Sequence, residues 1–353
     1  MSSSPKTPKS PSPSTRPLRL GILGCANIAR QFNAAVRPVR EVEIVAVASR
    51  NADTAAAFAK AENIAVPYGS YEDLLAATDI DAVYIPLPNS LHAEWAIKAA
   101  KAGKHVLCEK PLALSLAEAE SMFAAAREAG VMLLEGYPYW FQPQTGTLVD
   151  LLQSKAIGDV RTVQACFGFT VQNAQTNIRL KPDLGGGALL DAGSYALSVV
   201  RLAMGEAPAK VIAHATWADT GVDISLMATL FYADGRRAQI SCAMDVANHR
   251  RATIMGTKGT IETEYINHPS VAVPSQLRVR RGIANSVAFE EMPSSDGSGF
   301  RFCAEAFARV VAAGDFAAIE RAASASLDIA ATLEAVARSA KSGVMEMVAV
   351  RAG

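Results

Sequence analysis

The chain has 353 residues, half of them hydrophobic and 19% charged, and its 34 basic and 34 acidic side chains leave no formal net charge. A single core rarely grows beyond about 250–300 residues, so two domains are expected, and the composition excludes wholesale disorder. The lack of a basic excess argues against nucleic acid or a membrane surface as partner.

The first seventeen residues, MSSSPKTPKSPSPSTRP, are rich in Ser and Pro, have almost no apolar side chains, and read as a disordered tail. They lack the apolar core of a secretory signal. Their basic, acid-free composition is compatible with an organelle transit peptide, but a cytoplasmic location is the expectation. No uninterrupted apolar stretch reaches the ~18 residues a membrane-spanning helix needs. The five cysteines, Cys25, Cys108, Cys166, Cys242 and Cys303, are far apart, and no His/Cys cluster has zinc spacing. Reduced, mostly buried thiols and no metal site are therefore expected.

From Leu18 to about Tyr137 short apolar runs alternate with helical stretches. The predicted strands are Leu18–Leu23, Ile44–Ala48, Ala82–Ile85, His105–Cys108 and Val131–Leu134. The predicted helices are Thr54–Ala61, Ala93–Ala102 and Leu116–Ala129, the last opened by a Ser115–Glu118 capping box. This alternation predicts a parallel sheet covered on both faces. Beyond Phe141 the pattern changes to a helix over Pro143–Lys155 and strands at Val160–Phe167, Val211–Trp217, Ile224–Tyr232, Arg237–Ala243 and Ala252–Met255. Asp234-Gly235 marks a hairpin, and Ala322–Ser339 returns to helical periodicity. The expected fold is α/β: an N-terminal Rossmann domain with a parallel sheet over 18–140, then a C-terminal α+β domain with a largely antiparallel open sheet over 141–353. The C-terminal helix is a candidate to pack back on the first domain.

The first strand runs into Gly24-Cys25-Ala26-Asn27-Ile28-Ala29 just before a helix, close to the dinucleotide fingerprint G-x-G-x-x-G/A. Gly24 makes the tight turn in this reading, Ala29 allows close packing, and helix-end amides face a pyrophosphate. Ala26 departs from the pattern at the second glycine, and a plain strand-to-helix turn is the alternative. At the end of the second strand, where an acid would mark NAD preference, stand Ser49 and Arg50. A hydroxyl and a guanidinium suit a 2′-phosphate, so NADP is expected over NAD. Asp53 is more simply explained as a helix cap.

After the strand ending at Cys108 come Glu109, Lys110 and Pro111, at the strand end where ligands bind in open α/β sheets. Taken alone, Lys110 has a plain alternative, a surface lysine beside a helix. GILGCANIA, the ASR ending, YIPLPNSLHAEWAIKAAKAGKHVLCEKPLALS and GGGALLDAGSYALSVVRLAMG together resemble the Gfo/Idh/MocA oxidoreductase family along most of the chain from Leu18. Its appearance is closest to the branch of dihydrodiol dehydrogenases, NADP-dependent xylose dehydrogenases and sugar ketoreductases.

The resemblance implies an NADP(H)-dependent oxidoreductase acting on a carbon–oxygen bond of a sugar, polyol or cyclic diol. It also implies a homodimer or higher homo-oligomer formed through the C-terminal sheet. Lys110 matches the lysine that contacts substrate and nicotinamide, and Tyr195 the acid/base, with Asp191 beside it. Asp191 and Tyr195 are four residues apart and share a face if helical, although Asp191 could merely cap a helix. Lys110 is expected to favour the Tyr195 phenolate. Gly24, Cys25, Ala26, Asn27, Ile28, Ser49, Arg50, Glu109 and Lys110 are the candidate cofactor contacts, joined by Pro86, Leu87, Asn89 and His92 of the loop bordering the nicotinamide. Packing explains His92 equally well, and Trp140 and Phe141 are candidate cleft residues, although aromatic residues at a domain boundary more often pack. A non-catalytic NADP-binding sensor of the same fold is the competing reading.

Overall fold

The computed structural model describes residues 16–349 except 174, 271, 294 and 295, so the tail through residue 15 lies outside the described residues. The first layer alternates β1 (Leu18–Leu23), α1 (Asn27–Val36), β2 (Val42–Ala48), α2 (Ala52–Glu62), β3 (Val66–Tyr68), α3 (Tyr71–Ala76), β4 (Ala82–Ile85), α4 (His92–Lys101), β5 (His105–Glu109), α5 (Leu116–Ala129) and β6 (Leu133–Gly136). Its strands pair in parallel in the order β3-β2-β1-β4-β5-β6. This is the doubly wound arrangement, with a crevice where the order reverses beside β1. All four residues of β4 are buried, as helices on both faces require.

Capping follows the sequence closely at α5. The Ser115 hydroxyl accepts from Glu118 N at 3.2 Å, while the Glu118 carboxylate accepts from Leu114 N at 2.9 Å, one residue before the cap. At α2 the cap is Asn51, which accepts from Thr54 N at 2.9 Å. Asp53, expected as the cap, instead lies in the first turn, two residues after it, where its charge suits the helix N-terminus.

The second half comprises α6 (Pro143–Gln153), β7 (Val160–Thr170), α7 (Ser194–Met204), β8 (Lys210–Trp217), β9 (Asp223–Phe231), β10 (Arg237–Ala243), β11 (Asp245–Gly256), β12 (Gly259–Thr263), β13 (Leu277–Arg281), β14 (Glu290–Glu291), α8 (Gly299–Ala313), α9 (Phe316–Ser342) and β15 (Glu346–Met347). Nine strands form one sheet in the order β14-β13-β12-β11-β7-β10-β9-β8-β15. Every pairing is antiparallel except β7 with β10. Gly235 takes a left-handed φ of 86° in the hairpin between β9 and β10.

Several elements depart from expectation, and two of the departures bear on the core and the site. β11 begins at Asp245, well before Ala252, because its early residues are mostly exposed and carry no alternating apolar signal. The sequence reading contains no helix over Gly299–Ala313, which returns to the first sheet. Phe300, Cys303 and Phe307 share a core with Phe32 and Tyr84, and the Phe32 and Phe300 rings meet edge to face at 5.6 Å. The C-terminal helix α9 lies against α5: Arg127 pairs with Glu320 at 2.7 Å, and Leu116 N donates to Glu334 at 2.9 Å.

Candidate active site

The turn after β1 is built to leave amides open. Gly24 has φ +115°, and a Cβ there would lie 2.9 Å from the Leu87 side chain, so only glycine fits without strain. Ala26 is the N-cap of α1 at φ −75°, ψ 159°, extended backbone that alanine adopts freely, which explains why a second glycine is dispensable. No side chain caps α1 and no acid occupies its first turn. Its first amides, beginning at Asn27 and Ile28, are therefore available to an anion. Ala29 is fully buried beneath them. A pyrophosphate group fits this cradle.

Beside it lies a cluster at the end of β2. The Cys25 thiol contacts the Ser49 hydroxyl, and burial pushes that thiol's pKa up. Exposed Arg50 lies close enough to the Tyr71 hydroxyl to favour its charged form, and that hydroxyl would lie 4.0 Å from a Gly24 Cβ. Tyr71 opens α3, a helix too short to be signalled by periodicity, and the sequence reading missed it.

Pro86, Leu87 and Pro88 follow β4 and bring Leu87 over Gly24. His92 is fully buried, with Nε2 2.8 Å from the Leu87 carbonyl and Nδ1 2.8 Å from the Pro111 carbonyl. Burial pushes its pKa down and Lys110 adds to this, while the facing carbonyls favour the protonated ring. His92 thus joins the loop over the phosphate turn to the lysine loop. The Asn89 amide donates to the Gly185 carbonyl at 2.8 Å, which links the loop to the second half of the chain. Its amide is therefore engaged with protein.

Lys110 stands one residue beyond β5, before a cis peptide bond to Pro111. Its Nζ lies 2.6 Å from Asp191 Oδ1 and 3.1 Å from the Asp191 carbonyl. The other Asp191 oxygen accepts from Arg179 Nε. Burial alone would raise the Asp191 carboxyl, but the two cations outweigh it and hold it well below the ordinary carboxylate range. Asp191 lies in a π-helical segment, Leu189–Gly193, that leads into α7, and Tyr195 follows in the first turn of α7. The shared face expected from the spacing therefore arises across a π-turn, a feature enriched at functional sites.

Tyr195 is buried, and its hydroxyl accepts from Asn267 Nδ2 at 2.8 Å. Lys110 Nζ lies 4.7 Å from the Tyr195 ring centroid, over the ring. Arg250 lies over the same ring at 4.5 Å. Burial raises the phenol pKa, and Lys110 and Arg250 lower it without fully offsetting that rise. Lys110 thus favours the phenolate, as expected, while burial of the phenol outweighs it. Arg179, Arg250 and Asn267 carry no motif, and the sequence reading missed all three.

Glu109 faces the core, where its carboxylate accepts from the Tyr84 hydroxyl at 2.6 Å and burial raises it to about 6. Trp140 Nε1 donates to the Tyr139 hydroxyl at 2.7 Å, so this boundary aromatic is tied into the ring cluster around Tyr195. Phe141 packs on the core that contains Phe32 and Phe300. A cleft of about 750 Å³ beside Tyr195 is lined by Asn248, Arg250, Asn267 and His268 among others.

A model of the Gfo/Idh/MocA oxidoreductase family with an NAD-binding Rossmann fold matches residues 18–137, and the Gfo/Idh/MocA C-terminal domain model matches residues 146–262. The chain is 36% identical to D-xylose 1-dehydrogenase (NADP(+)) 2 of Haloferax volcanii, over 92% of this chain and 98% of that protein. It is 35% identical to trans-1,2-dihydrobenzene-1,2-diol dehydrogenase of Xenopus laevis, over 81% of this chain and 86% of that one. The 3-ketoreductase KijD10 of Actinomadura kijaniata, in a crystal structure with NADP and TDP-benzene, superposes with a TM-score of 0.82 at 33% identity, covering 91% and 97% of the two chains.

Proposed function

The chain belongs to the Gfo/Idh/MocA oxidoreductase family, and we propose that it is an NADP(H)-dependent oxidoreductase of a sugar, polyol or cyclic diol carbon, with Tyr195 as acid/base and Lys110 as its partner. The observation that carries this reading is the convergence of Lys110, Asp191 and Tyr195 just beyond β5. Leu87 and His92 tie that loop to the open phosphate turn. When bound, NADP(H) supplies or accepts the hydride.

The protein's own residues then handle charge and protons. A substrate oxygen near Lys110 Nζ and the Tyr195 hydroxyl gains a proton from Tyr195 in reduction and gives one to it in oxidation. The Lys110 ammonium stabilises alkoxide charge on that oxygen, and low solvent exposure strengthens the interaction. Asp191, fixed by Arg179, holds Lys110 in place and keeps it protonated. The buried phenol keeps its proton at neutral pH, which suits it to donate to a carbonyl.

Ser49 and Arg50 support NADP over NAD, since neither repels a 2′-phosphate. For assembly, the face of the second sheet away from α7 exposes Met227 and Ile212 among polar strand residues. We assign this face to contact with a second copy of the chain. Light scattering on Met227→Lys should then show a smaller particle than the native protein. The free thiols of all five cysteines support residence in the cytoplasm.

The central test is absorbance of the reduced cofactor across aldoses, polyols, dihydrodiols and keto-sugars, with native protein and Tyr195→Phe. Turnover should fall at least 100-fold in the variant, with NADPH affinity changed less than about threefold. Tight NADPH binding without turnover of any compound would instead identify a sensor.

A further inference from the structure

We infer that Arg250 and Asn267 are positioning residues that stabilise the phenolate form of Tyr195, Arg250 by its charge over the ring and Asn267 by its hydrogen bond to the hydroxyl oxygen. The inference rests on Tyr195 being the acid/base. Neither residue lies in the segments that carry the family resemblance, and both come from the second half of the chain.

The geometry at Arg250 is that of an oriented, uncompensated charge. Its guanidinium lies 3.7 Å from the Phe167 ring centroid, 4.5 Å from that of Tyr195 and 5.8 Å from that of Tyr265. Nη1 donates to the Tyr265 carbonyl at 3.3 Å. Among the described residues no ion pair engages it, whereas its neighbour Arg251 pairs with Glu264 at 3.0 Å. The alternation of β11 accounts for the contrast: Arg251 points to the open face of the sheet and Arg250 toward α7. With no carboxylate in ion-pair contact, although Glu264 lines the same cleft, the Arg250 charge acts on the ring it covers.

Asn267 is held just as firmly. Its carbonyl accepts from Gln142 Nε2 at 2.6 Å and from Gly299 N at 2.8 Å, so its side-chain donor reaches the Tyr195 oxygen from a fixed backbone. A donated hydrogen bond favours the charged oxygen over the neutral one.

The groups around Tyr195 pull in both directions. Lys110 and Glu109 face it from the end of β5, and Asp191 precedes it on its own segment. The rings of Phe167, Tyr137, Tyr139 and Tyr265 and the phenol of Tyr84 surround these charges. Burial and Glu109 raise the Tyr195 pKa, while Lys110, Arg250 and the Asn267 bond lower it. Lys110 is also bound to Asp191, which leaves Arg250 as the cation over this ring without a carboxylate of its own.

The test places a difluorotyrosine at position 195 of the full chain and follows its ionisation by fluorine NMR, with and without NADP+. Arg250→Gln should raise the titration midpoint by about one pH unit, Arg250→Lys should leave it near the starting value, and Asn267→Ala should raise it by a smaller amount. An unmoved midpoint in folded Arg250→Gln overturns the inference. So does an unmoved midpoint accompanied by a raised substrate KM, which would make Arg250 a substrate-binding group. If Arg250→Gln fails to fold, Asn267→Ala decides in the same way. Turnover of Tyr195→Phe is scored separately: retained turnover refutes the acid/base role whatever the midpoint does.

Discussion

Lys110, on the strand end of the first sheet, and Asp191, on the π-turn entering α7, meet at 2.6 Å, with the Lys110 side chain almost wholly withdrawn from solvent. The pair joins the two halves of the chain at the point where the chemistry is placed. It also fixes an ammonium that would otherwise be free to swing. Arg179 holds the opposite oxygen of Asp191, so the carboxylate is clamped between two cations.

Asp191→Asn should therefore affect both stability and rate. Removing one partner of a buried ion pair leaves the other uncompensated, and a loss of about 3 kcal/mol is expected in chemical denaturation. The folded-state pKa is depressed, so the Asp191 contribution is fully present above about pH 4 and is lost only as pH falls through the depressed value. The gap between native protein and variant should accordingly be constant from pH 6 to pH 9. A gap that closed across that range would mean the pair is not charged as described.

Glu135 offers the opposite sign. It is buried near Lys110, its Oε1 accepts from Leu112 N at 2.9 Å, and burial raises it to about 7. A raised folded-state value means that its stabilising contribution is complete below about pH 4 and disappears as pH rises toward 7. Glu135→Gln keeps an acceptor for Leu112 and removes the buried charge. At pH 8 the variant should be more stable than the native protein by about 2 kcal/mol, with no advantage at pH 4.5. Paired urea titrations at the two pH values measure this directly.

The sequence reveals most of what rests on local signals. Five of the six strands of the first sheet, the Ser115 cap and the Asp234-Gly235 hairpin are read from period, capping chemistry and turn residues, and the structure has them, while the three-residue edge strand β3 is too short to signal itself. Lys110, Asp191 and Tyr195 are legible through motif, and the structure brings them together. Arg250 and Asn267 are not, because their position depends on register across β7, β11 and β12, which no local pattern encodes. Tyr195's raised pKa is likewise a property of the packed ring cluster, and the sequence shows the cation without the burial that opposes it. The early part of β11 is invisible for a related reason, since an exposed strand has no buried face to alternate.

Gly24 should tolerate no side chain. Its φ of +115° is disfavoured for other residues, and an added Cβ would press on Leu87 at 2.9 Å. Gly24→Ala is expected to destabilise the fold by about 1–3 kcal/mol and to weaken NADPH binding at least tenfold, read by quenching of protein fluorescence. Ala26→Gly is the control: its φ of −75° suits both residues, so affinity should change by less than about threefold. If both variants bind equally well, the turn is not the phosphate cradle.

Cofactor choice is the last expectation, and it turns on Arg50. Its side chain is exposed at the end of β2, near the Tyr71 hydroxyl, with Ser49 preceding it in the chain. A hydrogen bond to a charged group contributes about 1.5–3 kcal/mol, so Arg50→Ala should weaken NADP+ binding roughly tenfold to 100-fold. NAD+ lacks the 2′-phosphate, and its affinity should change by less than about threefold. Ser49→Asp should lower NADP+ affinity further by placing a like charge near that phosphate and should improve NAD+ binding through the ribose hydroxyls. The NADP+ effect should shrink as salt rises, since an exposed guanidinium is screened over about 8 Å at physiological ionic strength. Titrating both cofactors against both variants separates the outcomes: an equal loss for NADP+ and NAD+ would remove Arg50 from the 2′-phosphate and leave it a general support of the adenosine side.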